Sequence, residues 1–208
     1  MHNEKEYINY CGIRDNNFKY RIICSTTELK SGVVFGLQAG ISGFQGQPDC
    51  APGTTTYQAG FIGGATIGYD YAVTPTVAVG IESGFNYSPQ TYKQEFSAGG
   101  LTSKIDTMNI SLLVTAKYLT PINVTVFGKA GYSWNRYKIS SDAPDGSVTY
   151  NTFSPMVAAG FGYQLQNFHF FGQYTHTFGK DLDNLGGKNT ISTNTVTAGV
   201  TYSLPLSF

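Results

Sequence analysis

The sequence predicts an all-β fold, an eight-stranded antiparallel up-and-down transmembrane β-barrel. Three observations carry this expectation. Apolar and small or polar residues alternate along eight separate stretches, a period of two that belongs to β-strands with one oily face. Charged residues make up only 12% of the 208 residues, about half the share of soluble domains, while aromatic residues reach 14%. The connections between the stretches are short and long in turn.

The eight apolar faces follow in order. Val33, Phe35, Leu37, Ala39 and Ile41 form the first, and Phe61, Gly63, Ala65, Ile67, Tyr69, Tyr71 and Val73 the second. Val77, Val79, Ile81, Ser83, Phe85 and Tyr87 make the third; Met108, Ile110, Leu112, Val114, Ala116 and Tyr118 the fourth. The fifth is Val124, Val126, Gly128, Ala130, Tyr132 and Trp134, and the sixth Val157, Ala159, Phe161, Tyr163 and Leu165. Phe168, Phe170, Gly172, Tyr174, His176 and Phe178 give the seventh. The last, Val196, Ala198, Val200, Tyr202, Leu204, Leu206 and Phe208, runs to the final residue. Most stretches have the roughly 9 to 11 residues that a tilted strand needs to cross hydrocarbon.

Composition excludes other classes. No apolar run approaches the roughly 18 to 20 residues of a membrane helix, and mean hydropathy is −0.15. Thirteen acidic and thirteen basic residues give a net charge of zero, so neither nucleic acid nor an electrostatic membrane anchor is implied. The length fits one domain. Residues 31–208 are read as that barrel domain, and residues 1–30 as an N-terminal extension of uncertain structure.

The connections set the topology. Thr74-Pro75-Thr76, Thr120-Pro121-Ile122-Asn123 and Gln166-Asn167 are short, whereas the stretches near 45–56, 88–106, 136–152 and 179–192 are long and rich in Gly, Ser, Asp, Asn and Pro. Outer-membrane barrels have this asymmetry, with short turns in the periplasm and long loops outside. Both chain ends are then expected on the periplasmic side.

Charge positions test a register read from apolar residues alone. After position 30, 17 charged residues remain, and 13 of them fall in or beside the four long connections. The other four, Asp70, Glu82, Lys117 and Lys129, lie inside strands on the small or polar face. If the apolar face meets lipid, these four point into the lumen, where burial forces them to pair. A luminal ion-pair cluster is therefore expected. Its plain role is to satisfy a packed interior, since eight strands enclose only side chains; the alternative is a small solute pore gated by Glu82, Lys117 and Lys129.

Aromatic residues form two bands. Tyr69, Tyr71, Tyr118, Tyr163, Phe168, Tyr202 and Phe208 lie near the short-turn end; Phe85, Tyr87, Trp134, Tyr137, Tyr174 and Phe178 lie near the long connections. Such bands suit the two interfaces of a bilayer, and His169 and His176 are read as part of them. Repeated glycines on the small face leave room for bulkier luminal neighbours.

At this point the chain resembles a family: the small outer-membrane barrels of Gram-negative bacteria typified by outer membrane protein A, its X-type relative and the opacity adhesins. The resemblance covers about residues 31–208. Its most specific part, Tyr202-Ser203-Leu204-Pro205-Leu206-Ser207-Phe208, resembles the C-terminal signal read by the barrel-assembly machinery, a role that would carry over to Tyr202, Leu204, Leu206 and Phe208. Phe127-Gly128-Lys129-Ala130-Gly131-Tyr132 and Ala159-Gly160-Phe161-Gly162-Tyr163 resemble its glycine-aromatic strands. The resemblance implies a monomer in the outer membrane, in contact with membrane lipids and lipopolysaccharide, with a structural or adhesin-like role toward a host or surface ligand.

Some features depart from the family. It implies a cleavable signal peptide, yet residues 1–30 hold nine charges and no apolar h-region. Of three cysteines, Cys50 lies in the first long connection and Cys11 and Cys24 precede the barrel, across the membrane from it; no disulfide is supported by spacing. No metal-ligand spacing, cofactor or catalytic set is expected. A lipid-modifying barrel enzyme would need a hydroxyl two residues after a His, but His176-Thr177-Phe178 puts Phe there. A soluble lipocalin-like barrel would turn the oily face inward and leave four strand charges to keep it in solution, too few for that purpose.

Overall fold

A computed structural model describes residues 27–45, 54–57, 59–96, 102–141, 147–179 and 192–206. Its nine strands are β1 (Gly32–Gln45), β2 (Thr54–Tyr57), β3 (Ala59–Thr74), β4 (Val77–Phe96), β5 (Thr102–Leu119), β6 (Val124–Ser141), β7 (Ser147–Leu165), β8 (Phe168–Thr177) and β9 (Ser192–Pro205). Setting β2 aside, neighbours in sequence pair antiparallel, β1 with β3 and so on to β9, and β1 also pairs with β9, which closes the sheet. Short β2 only extends the β3 wall, by pairing with Lys93 to Phe96 of β4, so the closed barrel has eight walls.

The register fixes its bore. Paired inner residues lead from Gly32 through Asp70, Gly80, Thr115, Lys129, Ala158, Thr175 and Thr195 back to β1 at Ser42, ten residues beyond the start. Ten residues are a stagger of about 33 Å against about 38 Å of strand spacings, which tilts the strands by about 40°. The backbone then lies about 8 Å from the axis, a lumen that side chains fill.

The eight oily faces all point outward. Phe35, Leu37, Ile67, Ile81, Leu112, Val114, Phe161 and Val196 are exposed to the surroundings, while the alternate residues are buried. A closed sheet satisfies every backbone group within the wall, so this surface is compatible with hydrocarbon. At the short-turn end Tyr69, Tyr71, Tyr118, Tyr163, Phe168 and Tyr202 ring the outside. At the other end Phe85, Tyr87, Tyr174 and Phe178 do so, joined by Phe153, which stacks on Tyr132 with ring centres 5.1 Å apart.

Two aromatic expectations are corrected. Tyr137 is 7% exposed and His169 is 4% exposed; both face the lumen, because they fall on the odd-numbered inner face of β6 and β8. Two of the expected long connections are also corrected. Strand pairing continues through most of 88–106 and 136–152, up to Glu95 with Thr102 and Ser140 with Ser147. Polar sequence there reflects water beyond the bilayer, which does not end a ladder that supplies its own hydrogen bonds. The register of β4 slips between Ser88 and Tyr92, where Pro89 has no N–H to give the ladder.

The short turns are tied locally. Thr74 Oγ1 accepts from the Val77 amide at 2.9 Å, and Asn123 and Gln166 adopt positive φ of 62° and 51°. The Gln164 amide nitrogen donates to the Asn123 carbonyl at 2.8 Å and its side chain to the Gln166 carbonyl at 2.8 Å, linking two neighbouring turns. The three cysteines and Phe208 lie outside the described residues.

Candidate functional site

The lumen is where the residues with chemistry meet. Inner positions of β3, β4, β5 and β6 carry Asp70, Glu82, Lys117 and Lys129, and they form two separate pairs. Lys117 Nζ donates to Asp70 Oδ2 at 2.6 Å, near the short-turn end. Lys129 Nζ donates to Glu82 Oε1 at 2.7 Å, further along the axis, and both of those residues are 8% exposed. Strands β4 and β6 are not neighbours; β5 lies between them and presents Leu113 opposite Glu82 and Thr115 opposite Lys129. The ion pair therefore reaches across a strand, as the small bore allows.

Aromatic rings complete a plug around the second pair. Lys129 Nζ lies 5.3 Å from the centre of the Phe127 ring and 5.7 Å from that of Phe171, within reach of cation–π attraction. Phe127 meets Phe171 and His169 edge-on at 5.9 and 5.8 Å. His169 Nε2 and Thr125 Oγ1 are hydrogen-bonded at 2.5 Å. Gly160 permits this packing, since a Cβ there would strike the Phe127 ring.

A chain of amides lies on the long-connection side of the plug. Gln38 Nε2 donates to Asn86 Oδ1 at 2.7 Å, Asn86 Nδ2 to Asn109 Oδ1 at 3.4 Å, Asn109 Nδ2 to Asn135 Oδ1 at 2.6 Å, and Asn135 Nδ2 to Ser133 Oγ at 3.0 Å. Gln38 reaches Asn86 across β3 because Gly64 stands between them; a Cβ at Gly64 would collide with the Asn86 amide. Sequence reasoning followed charges and missed this chain. The signal was present, for Asn86, Asn109 and Asn135 are in register on three successive strands.

Other singled-out residues lie on the outside. Tyr202, Leu204 and Leu206 face outward at the end of the chain. His176 Nδ1 and the Tyr174 hydroxyl both bond Asn194 Oδ1 at 2.7 Å, and His176 packs edge-on against Phe178. The imidazole is thus engaged by an amide and a ring.

A closed barrel with an oily exterior, two aromatic rings and a filled polar interior defines an integral outer-membrane protein. The family model described as outer membrane protein beta-barrel domain matches residues 25–203, and the chain belongs to that family, which implies the outer membrane of Gram-negative bacteria. No curated protein matches it. Among solved structures, Neisserial surface protein A is similar, with 16% identity, a TM-score of 0.59, and 85% of this chain and 100% of that one covered. Ail, the attachment invasion locus protein of Yersinia pestis, is similar with 16% identity, a TM-score of 0.55 and the same coverage. A structure of Ail in complex with the heparin analogue sucrose octasulfate is similar with a TM-score of 0.54.

Proposed function

We propose that this chain is a monomeric surface-interaction protein of adhesin-like type, which presents paired strands and long connections outside the cell from a closed barrel. The observation that carries the reading is the inequality of the two ends. Three turns of two to four residues close one end, whereas at the other β4–β5 and β6–β7 stay paired far beyond the aromatic ring. A rigid hairpin platform loses little entropy when it meets a partner, which suits binding better than passage. The filled lumen supports the same choice over a pore. The attachment-locus name of Ail and its heparin-analogue complex are in keeping with a surface ligand.

In this reading the short turns and both termini are periplasmic, the barrel contacts lipid and lipopolysaccharide, and Tyr202, Leu204, Leu206 and Phe208 are read by the barrel-assembly machinery. Orientation has a direct test in Cys50, which belongs to the first long connection. With Cys11 and Cys24 changed to Ser, a membrane-impermeant maleimide on intact cells labels the protein, and Cys50→Ser removes the label. Labelling only after lysis would reverse the topology. Binding is tested by replacing 89–104 with a two-residue turn: attachment of expressing cells to immobilised heparin falls, while heat-modifiable gel migration stays native.

A further inference from the structure

The oily outside of the barrel is not smooth. Where β7, β8, β9 and β1 meet the lipid in the half nearer the long connections, they share an outer groove of about 520 Å³. Its floor is Ala39, Ala198 and Gly172, side by side in register on β1, β9 and β8, and Ile41, Phe161 and Tyr174 rise around them. A Cβ added at Gly172 would meet nothing within 4 Å, so the floor is open on the lipid side.

Small residues alone would leave this groove to any hydrocarbon tail; a polar group at its head makes it selective. His176 and Asn194 stand opposite each other, two residues beyond Tyr174 and Val196 on the same outward face, and so at the long-connection end of the groove. Asn194 Oδ1 accepts from the Tyr174 hydroxyl and is bonded to His176 Nδ1. An amide oxygen only accepts, so in the neutral imidazole Nδ1 carries the proton and Nε2 is an acceptor. Nε2 has no partner among the described residues and is not one of the enclosed polar atoms. A bare acceptor at the edge of hydrocarbon is costly, so a donor supplied by a lipid is favoured there.

That requirement selects the lipid. Acyl chains held by glycerol esters bring only accepting oxygens to this depth, whereas an amide-linked chain with a hydroxyl on its third carbon brings an N–H and an O–H. Gly172 lies four residues from His176 along β8, about 10 Å deeper toward mid-bilayer, so the groove follows the path of the same chain. We infer that this groove holds an amide-linked 3-hydroxyacyl chain of a glycolipid of the lipid A kind, seated over Gly172 and Ala198 with its hydroxyl or amide N–H on His176 Nε2. The choice of glycolipid rests on the orientation proposed above, which turns this end toward the outer leaflet.

The test is native mass spectrometry of the full-length protein, folded in detergent and given equal amounts of lipid A and an ester-linked phosphatidylglycerol. The wild type is expected to retain lipid A in preference. Gly172→Leu, which fills the groove, abolishes the lipid A adduct, and His176→Leu lowers the ratio of lipid A to phosphatidylglycerol about fivefold, the worth of one neutral hydrogen bond. Equal retention of the two lipids by the wild type overturns the inference, as does an undiminished adduct in either variant when its heat-modifiable migration stays native. A dimer in place of the lipid adduct, removed by Gly172→Leu, would give the groove to a second copy and overturn it as well. The wild-type comparison decides the matter even where a variant does not fold. Orientation does not enter this measurement, so a topology reversed by Cys50 labelling and a missing lipid preference are separate results.

Discussion

At the residue scale, the inner charges act as couples. Glu82 and Lys129 are both almost wholly enclosed and bonded at 2.7 Å, so removing one leaves the other buried and uncompensated. Lys129→Met or Glu82→Gln alone is expected to destabilise the barrel by about 3 to 5 kcal/mol. The double variant, which buries no charge, is expected to cost much less than the sum. Urea unfolding in detergent, read as a double-mutant cycle, measures the coupling; additive losses would mean that the two groups do not interact. All four inner charges were legible as luminal, because a charge on the face opposite the oily residues has nowhere else to go. Their partition into Asp70 with Lys117 and Glu82 with Lys129 was not, since it depends on how far each strand is offset from the next. The amide chain was hidden for the same reason: Asn86, Asn109 and Asn135 are unremarkable singly and become a chain only in register. His169 and Tyr137 sit at the heights of the aromatic bands yet face inward, because parity along the strand alone decides inside from outside.

At the element scale, the strands were legible where they cross lipid and less so where they leave it. Alternation is enforced inside the bilayer, because a polar residue on the outer face meets hydrocarbon. Beyond it both faces meet water, and the pattern loses its oily half while the ladder persists; hence Thr102 to Asp106 and Arg136 to Ser141 looked like connections although they are paired. A physical test of the assigned face is a charge on it. Val114, in the middle of β5, is 63% exposed and directly flanked by Ile81 and Ala130. Val114→Arg is expected to lower stability in lipid vesicles by about 2 to 4 kcal/mol, the cost of arginine on the lipid side near mid-bilayer. Val148→Arg, on the exposed face of β7 beyond the aromatic ring, should cost at most about 1 kcal/mol. Equal effects at both positions would refute the placement of the bilayer on the barrel.

At the scale of the whole molecule, closure decides whether anything passes. Eight walls with a ten-residue stagger leave a lumen about 8 Å in backbone radius, a width that inward side chains fill. The Lys129 ammonium lies 5.3 and 5.7 Å from the Phe127 and Phe171 ring centres and is bonded by Glu82 at 2.7 Å. A gate made only of the ion pair would open when one member is cut back; a plug made of rings and charges together would stay shut. The geometry favours the second, because Phe127 is locked by Phe171 and His169 independently of Glu82. Purified wild-type protein is therefore expected to give no steady current in planar bilayers, and Glu82→Ala to give none either. Steady channels should arise only when Phe127→Ala and Phe171→Ala are added to the loss of the pair. Stable conductance from the wild type, or from Glu82→Ala alone, would make the lumen a gated path and the pore its function.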